Sequence, residues 1–117
     1  MVRAYETKTH VFTHAGWDTS KSLEEQSRQT LCFLFMNEAR PTKGFKEIIC
    51  GHSSIMTGKP ARKGNILCVD TIEYGWLTAY DVKDKSFVQV NKQGQIRLLK
   101  DAEVFSEIKH VPKQFHK

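Results

Sequence analysis

No apolar run in these 117 residues approaches the roughly 20 residues needed to span a bilayer as a helix. The longest is Leu31 to Met36. The residues from Met1 to Glu6 lack the apolar stretch of a secretory signal, so a cytoplasmic location is the expectation. Cys32, Cys50 and Cys68 are widely separated, and none belongs to a Cys-x-x-Cys pair. That odd number and spacing fit reduced thiols serving as small core residues better than a disulfide framework or a zinc site. There is no internal repeat, no low-complexity segment, and no helix-turn-helix or zinc-knuckle motif. A nucleic-acid partner therefore has no motif in its favour.

What is present is ordinary for a globular chain: 39% hydrophobic and 26% charged residues. The length suits a single domain with a core of its own. The net charge of +5 permits an anionic partner without demanding one. Its one local concentration is Lys109 to Lys117, which reads as a solvated basic tail after a domain spanning 1–108.

The predicted elements run from one early helix into a strand-rich remainder. Val11-Phe12-Thr13 is a strand stopped by His14-Ala15-Gly16. Ser22-Leu23-Glu24-Glu25 has capping-box spacing and predicts a helix from about Leu23 to Asn37, closed by Pro41 and Gly44, although the apolar run Leu31 to Met36 leaves a strand reading open for its second half. Glu47 to Cys50 reads as a buried strand, Ser53 to Gly64 as a loop, and Asn65 to Val69 as another strand. Trp76 to Val82, Ser86 to Val90 and Gln95 to Leu99 form a meander with turns at Lys83-Asp84-Lys85 and Asn91 to Gly94. The expected fold class is α/β (α+β): one mixed to antiparallel sheet with one main helix.

Two histidines follow predicted strands directly, in Thr13-His14-Ala15-Gly16 and Cys50-Gly51-His52-Ser53. Layered α/β folds place functional loops at strand ends, and small neighbours let the backbone turn and project the imidazole. Neutral imidazole there suits a divalent transition metal.

The succession of Val11 to Gly16, Ile48 to Ser53, Gly64 to Thr71 and Gly75-Trp76-Leu77-Thr78-Ala79 resembles the calcineurin-like metallophosphoesterases. Within that family it is most similar to the serine/threonine phosphatase and diadenosine tetraphosphatase branch. There a strand enters His-Ala/Gly-Gly, the next Gly-His-Thr, the next Asp-Thr-Gly, and a strand carrying Gly-x-Leu-Thr-Ala follows. The resemblance covers about Val11 to Val82 and implies the C-terminal half of that layered sandwich. It casts His14 and His52 as metal ligands, and Asp70 and Thr71 as residues supporting the site. The implied cofactor is a divalent metal (Mn, Fe or Zn), and the implied substrate a phosphorylated one.

The departures are equally specific. The family's Gly-Asp-x-His, Gly-Asp-x-x-Asp-Arg-Gly and Gly-Asn-His-Glu/Asp motifs occur nowhere here, and only thirteen residues precede His14. Ile72 stands where Asp-Thr-Gly has glycine. Neither Arg28 nor Arg40 has the tryptophan context of the family's phosphate-gripping arginine. Two imidazoles without a bridging carboxylate do not hold two cations, and the general acid is missing. The expectation is a truncated or split phosphoesterase, inactive alone, with a non-enzymatic binding or regulatory module as the alternative. In the first case Ile48, Ile66, Leu67, Val69, Leu77 and Phe87 should form an uncovered apolar face, to be met by a second copy or by a separately encoded N-terminal half; in the second the chain should have repacked into a different compact fold with a core of its own.

Overall fold

Two sheets stack face to face, the inner strands of the first buried on both sides and those of the second alternating between buried and exposed. The computed structural model describes residues 4–101. The expected tail from Lys109 and the end of the expected 1–108 domain lie outside the described residues.

The first sheet holds β1 (Ala4–Glu6), β2 (His10–Thr13), β3 (Glu47–Cys50), β4 (Ala61–Lys63) and β5 (Ile66–Cys68), in the spatial order β1-β2-β3-β5-β4. Its centre, β2-β3-β5, is parallel, with Val11 beside Ile48 and Ile48 beside Ile66. Both edges are antiparallel. The second sheet is the predicted meander of β6 (Leu77–Asp81), β7 (Ser86–Val90) and β8 (Ile96–Lys100). Its second turn closes as expected: Asn91 Oδ1 accepts the Gln93 and Gln95 amides, and Gly94 takes φ +79°. Mixed α/β composition is thus observed, but with two sheets instead of the one expected.

Because successive side chains on a strand point to opposite faces, the first sheet feeds two cores. Val11, Ile48, Cys50, Ile66 and Cys68 pack with Trp17, Leu31 and Met36 on one side. Ile49 and Leu67, with Phe12 and Val69, meet Phe87, Leu99 and Tyr80 of the second sheet on the other. Leu67 and Phe87 are fully buried, each contributing about 1.5–3 kcal/mol relative to exposure. The expected uncovered face is corrected by this layering. Ile48, Ile66, Leu67 and Phe87 are buried within the chain itself, Val69 is half-buried, and only Leu77 is exposed.

The predicted helix over Leu23–Asn37 breaks into pieces. A 3₁₀ turn occupies Leu23–Glu25, and the Ser22 amide donates to Glu25 Oε1 as the capping-box spacing implies. Gln26 is extended (ψ 134°), and Ser27 starts a fresh helix, α1 (Arg28–Phe33), with its Oγ accepting the Thr30 amide. A second cap outcompetes continuation. Leu34 is again extended, and the following turn is held by tertiary bonds. The Met36 amide donates to Ser53 Oγ, and Lys63 Nζ donates to the carbonyls of Met36, Asn37 and Ala39. The predicted loop over Ser53–Gly64 contains β4, a strand whose polar Arg62 and Lys63 hide the buried Ala61. Gly64, at φ +59°, turns it into β5, where a Cβ would meet Pro41 Cβ at 2.4 Å. No helix among the described residues is long and apolar enough to cross a membrane.

Two polar networks fasten the second sheet to the first. Glu47 on β3 accepts from Arg62 (2.6 Å), from His10 (3.0 Å) and from the Tyr80 hydroxyl on β6 (3.3 Å). Arg62 also donates to Asp101, just after β8, at 2.7 Å. Burial alone would lower the guanidinium's proton affinity, but the hydrogen bonds to Asp101 and Glu47 outweigh it and hold Arg62 above its ordinary pKa. The second network is centred on the fully buried Gln89. Its amide nitrogen donates to the Gly58 carbonyl and Thr78 Oγ1 (both 2.8 Å), and its oxygen accepts from Arg97 Nε. Arg97 in turn stacks 3.9 Å over Trp76.

Candidate functional site

The three central strands are parallel and adjacent, so their C-terminal ends open on one edge of the sheet. His14 follows β2 by one residue; His52 follows β3, and Asp70 follows β5, by two. Ladder-like bonds carry the pairing past the strand ends. The Gly51 amide donates to the His14 carbonyl (2.8 Å), and the Val69 amide to the Cys50 carbonyl (2.9 Å). The imidazoles of His14 and His52 consequently meet, with ring centroids 5.1 Å apart at 59°.

Each turn has a local cause. After His14 the chain passes beneath α1: the Ala15 amide donates to the Leu31 carbonyl, and Thr13 Oγ1 to the Gly16 carbonyl. A Cβ at Gly16 would lie 2.6 Å from Leu34 Cδ2 and 2.9 Å from the Thr30 carbonyl oxygen, so this close approach requires glycine. At the other turn the Ser53 amide donates to the Gly51 carbonyl at 2.7 Å, making a three-residue turn with His52 at φ +69° in its centre. That is the rarer, strained form of γ-turn. Among the described residues, Lys85 is the one other non-glycine residue at positive φ, in the β6–β7 turn.

Aromatic rings wall the site on one side. Phe35 stacks on His52 at 4.5 Å and 29°, and Phe33 meets it edge-on at 6.4 Å. Neither was expected from the sequence, where both stood inside a long predicted helix. Only the interrupted helix brings them here.

Asp70 is half-buried beside the rings, and its carboxylate accepts the His52 backbone N–H. Burial, then the neighbouring charge of Glu73, push its pKa above the ordinary Asp value. The His52 N–H and the two imidazoles oppose them without cancelling the rise. Thr71, fully buried, directs its hydroxyl to the Trp76 carbonyl and Thr78 Oγ1. It therefore anchors the turn after Asp70 to β6 and does not extend into the site. The structure brings His14, His52 and Asp70 together; Thr71 acts only by fixing the backbone.

No family model, no curated protein and no solved structure matches the chain.

Two imidazoles and a nearby carboxylate are the ligand types of a mononuclear transition-metal corner. Among the described residues, however, no group of three or more His, Cys, Asp or Glu side chains is arranged to hold a metal ion. The thiols add nothing to this corner. Cys50 is fully buried with Cys68 beside it in register, and hydrogen bonding to Cys68 together with burial raises its pKa well above the ordinary thiol value. A buried thiol of that kind is held protonated. A surface hollow of about 390 Å³ lined by Pro41, Thr42, Lys43, Gly44, Gly64 and Asn65 touches the start of β5, the end opposite Asp70.

Proposed function

We propose that this chain supplies the two-histidine corner of a metal-dependent phosphoesterase and does not hydrolyse phosphoesters by itself. The observation that carries this reading is the convergence of His14 and His52, 5.1 Å between ring centroids, at the C-terminal ends of neighbouring parallel strands. Open sheets place ligands at such ends. The strained turn at His52 supports it, since backbone strain of about 1–3 kcal/mol persists where the surroundings impose it, often at functional sites. His14 and His52 would hold one divalent cation, with Asp70 orienting the His52 turn through its backbone N–H. A bound cation would contribute positive charge towards a phosphate oxygen. These 117 residues hold no Gly-Asp-x-His or Gly-Asn-His-Glu segment, so they would not themselves supply the remaining ligands and the leaving-group acid.

One observation favours the other reading, a binding or regulatory module. Both faces of the first sheet are covered from within the chain, so it needs no missing half to complete its core.

Calorimetric titration of Mn²⁺ into the wild type and into a His14→Ala/His52→Ala variant tests the proposal, with an aryl phosphate assay on the same samples. Binding lost in the variant, without hydrolysis in either, is the expected result. Equal heats in the two proteins, or their absence from both, would remove the metal corner and leave the binding module. Turnover by the wild type alone would overturn the claim of inactivity.

A further inference from the structure

A second cluster of reactive side chains lies at the opposite edge of the first sheet from His14 and His52. Thr9 stands at the tip of the β1–β2 hairpin, where the Thr7 amide donates to the His10 carbonyl. His10 and Glu47 open β2 and β3 side by side. Thr9 Oγ1 lies 2.8 Å from His10 Nδ1, and His10 Nε2 lies 3.0 Å from Glu47 Oε1. Hydroxyl, imidazole and carboxylate thus form one hydrogen-bonded line. Its hydroxyl end is exposed, whereas the His10 and Glu47 side chains are only 15% and 18% exposed.

We propose that this line is a nucleophilic site at which Thr9 takes the acyl group of an activated aryl ester. The partners assign the protons. A carboxylate only accepts, so the His10 proton sits on Nε2, and Nδ1 presents its lone pair to the Thr9 hydroxyl. The order is nucleophile, base and orienting acid, with the two ring nitrogens exchanged relative to the serine-protease template. Both ends of the base are held. His10 stacks on Phe12 at 5.9 Å and 17°, and Glu47 is fixed by Arg62 and Tyr80. The Glu47 amide also donates to the Thr9 carbonyl, which ties the nucleophile's backbone to β3.

In the first half-reaction Thr9 Oγ1 bonds to the ester's carbonyl carbon and passes its proton to His10 Nδ1. The bond to the leaving oxygen breaks, and that oxygen takes the proton from Nδ1. In the second, a water gives a proton to Nδ1 and attacks the acyl carbon. The bond from Thr9 Oγ1 to that carbon breaks, and Oγ1 recovers the proton. The balance is ester plus water to acid plus alcohol.

The surroundings set the substrate class. The Thr9 and His10 amides both donate to Thr7 Oγ1, at 3.2 and 2.9 Å, so neither is spare to stabilise an oxyanion. The ester must therefore carry a good leaving group. Tyr5 pairs with Phe12 across the hairpin, with ring centroids 6.5 Å apart, and is 63% exposed. Tyr5, Phe12 and His10 share one face of the hairpin and offer a flat leaving group an aromatic ledge. An aryl ester meets both conditions.

Incubation of the full chain with p-nitrophenyl acetate in the presence of EDTA, followed by peptide mass mapping, tests the proposal. The chelator separates this site from the metal corner. An acetyl group on Thr9 is expected. His10→Phe, which keeps a ring against Phe12, should slow its formation by about 100-fold. Thr9→Val changes an exposed residue and should abolish the initial burst of p-nitrophenol. Glu47 acts by positioning His10, so nitrogen NMR of the imidazole should show the proton on Nε2 in the wild type and a mixture of tautomers in Glu47→Gln. Acetyl groups confined to lysines and the N-terminus, or Thr9 acetylated as fast in His10→Phe as in the wild type, would overturn the proposal. So would a wild-type imidazole protonated on Nδ1 alone.

Discussion

Replacing Arg62 by methionine should destabilise the protein by about 2 kcal/mol, through the junction of the two sheets and not through packing. Methionine keeps the apolar stem but removes two charge-assisted bonds, 2.6 Å to Glu47 and 2.7 Å to Asp101. The Glu47 bond is mostly shielded from water and is worth about 1.5–3 kcal/mol. Asp101 is 38% exposed, so its bond adds only about 0.5 kcal/mol. The loss stays moderate because Glu47 keeps His10 and Tyr80 as donors, so no buried charge is orphaned. With a urea m-value of about 1.5 kcal/mol/M for a chain of this size, the midpoint should fall by about 1.3 M. Urea titration followed by tryptophan fluorescence is a suitable assay, because Trp17 lies in the α1-side core and Trp76 borders the second sheet. A cycle with Glu47→Gln should give a coupling of about 1–2 kcal/mol. An Arg62→Met change below 0.5 kcal/mol, or zero coupling to Glu47, would refute the latch.

Three further outcomes follow from the same geometry. Gly16→Ala should cost about 1–3 kcal/mol, since its Cβ collides with Leu34 and the Thr30 carbonyl; Gly51→Ala, whose Cβ meets nothing nearer than 3.5 Å, should change the urea midpoint little. Gln89→Leu should destabilise by about 2–3 kcal/mol, because the Gly58 carbonyl and Arg97 Nε lose a buried partner; an unchanged thermal midpoint would contradict the network. Ser20's hydroxyl and amide hold Asp18 below the ordinary Asp pKa, so the folded state binds that proton less readily than the unfolded one. The stability this adds is present above the unfolded value of about 4 and is lost as pH falls through the folded value. The gap in urea midpoint between wild type and Asp18→Asn should accordingly close in acid.

Local chemistry was readable wherever short-range rules decide structure. Glu47–Cys50 and Ser86–Val90 are strands as expected, because β-branched and apolar runs between turn residues leave few alternatives. The turn at Asn91–Gly94 follows from Asn and Gly alone. His14 and His52 were flagged by standing after a strand and Asp70 by the family resemblance, and the parallel order of β2, β3 and β5 brings them together. What stayed hidden was tertiary. The Leu23–Asn37 stretch has good helical spacing, yet Ser27 offers a second cap, and Ser53 and Lys63 bind the backbone beyond Leu34. The aromatic wall of Phe33 and Phe35 depends on that break and could not precede it. β4 was missed because one buried alanine carries its entire inward pattern.

The ladder between β2 and β3 also acts as a ruler. Strands in a sheet lie about 4.8 Å apart, and the rings of His14 and His52 stand 5.1 Å apart, close to one such pitch. Their anchor points are tied through the Gly51–His14 backbone bond, so the gap cannot be widened by small adjustments of the loops. The backbone separation is set by the sheet, and only a slip of one strand against the other would reset it, whereas the ring gap also follows the histidine side-chain torsions. Any discrimination between guests of different radius would therefore come from rotation of the imidazoles, on the side where Phe35 leaves the least room to turn.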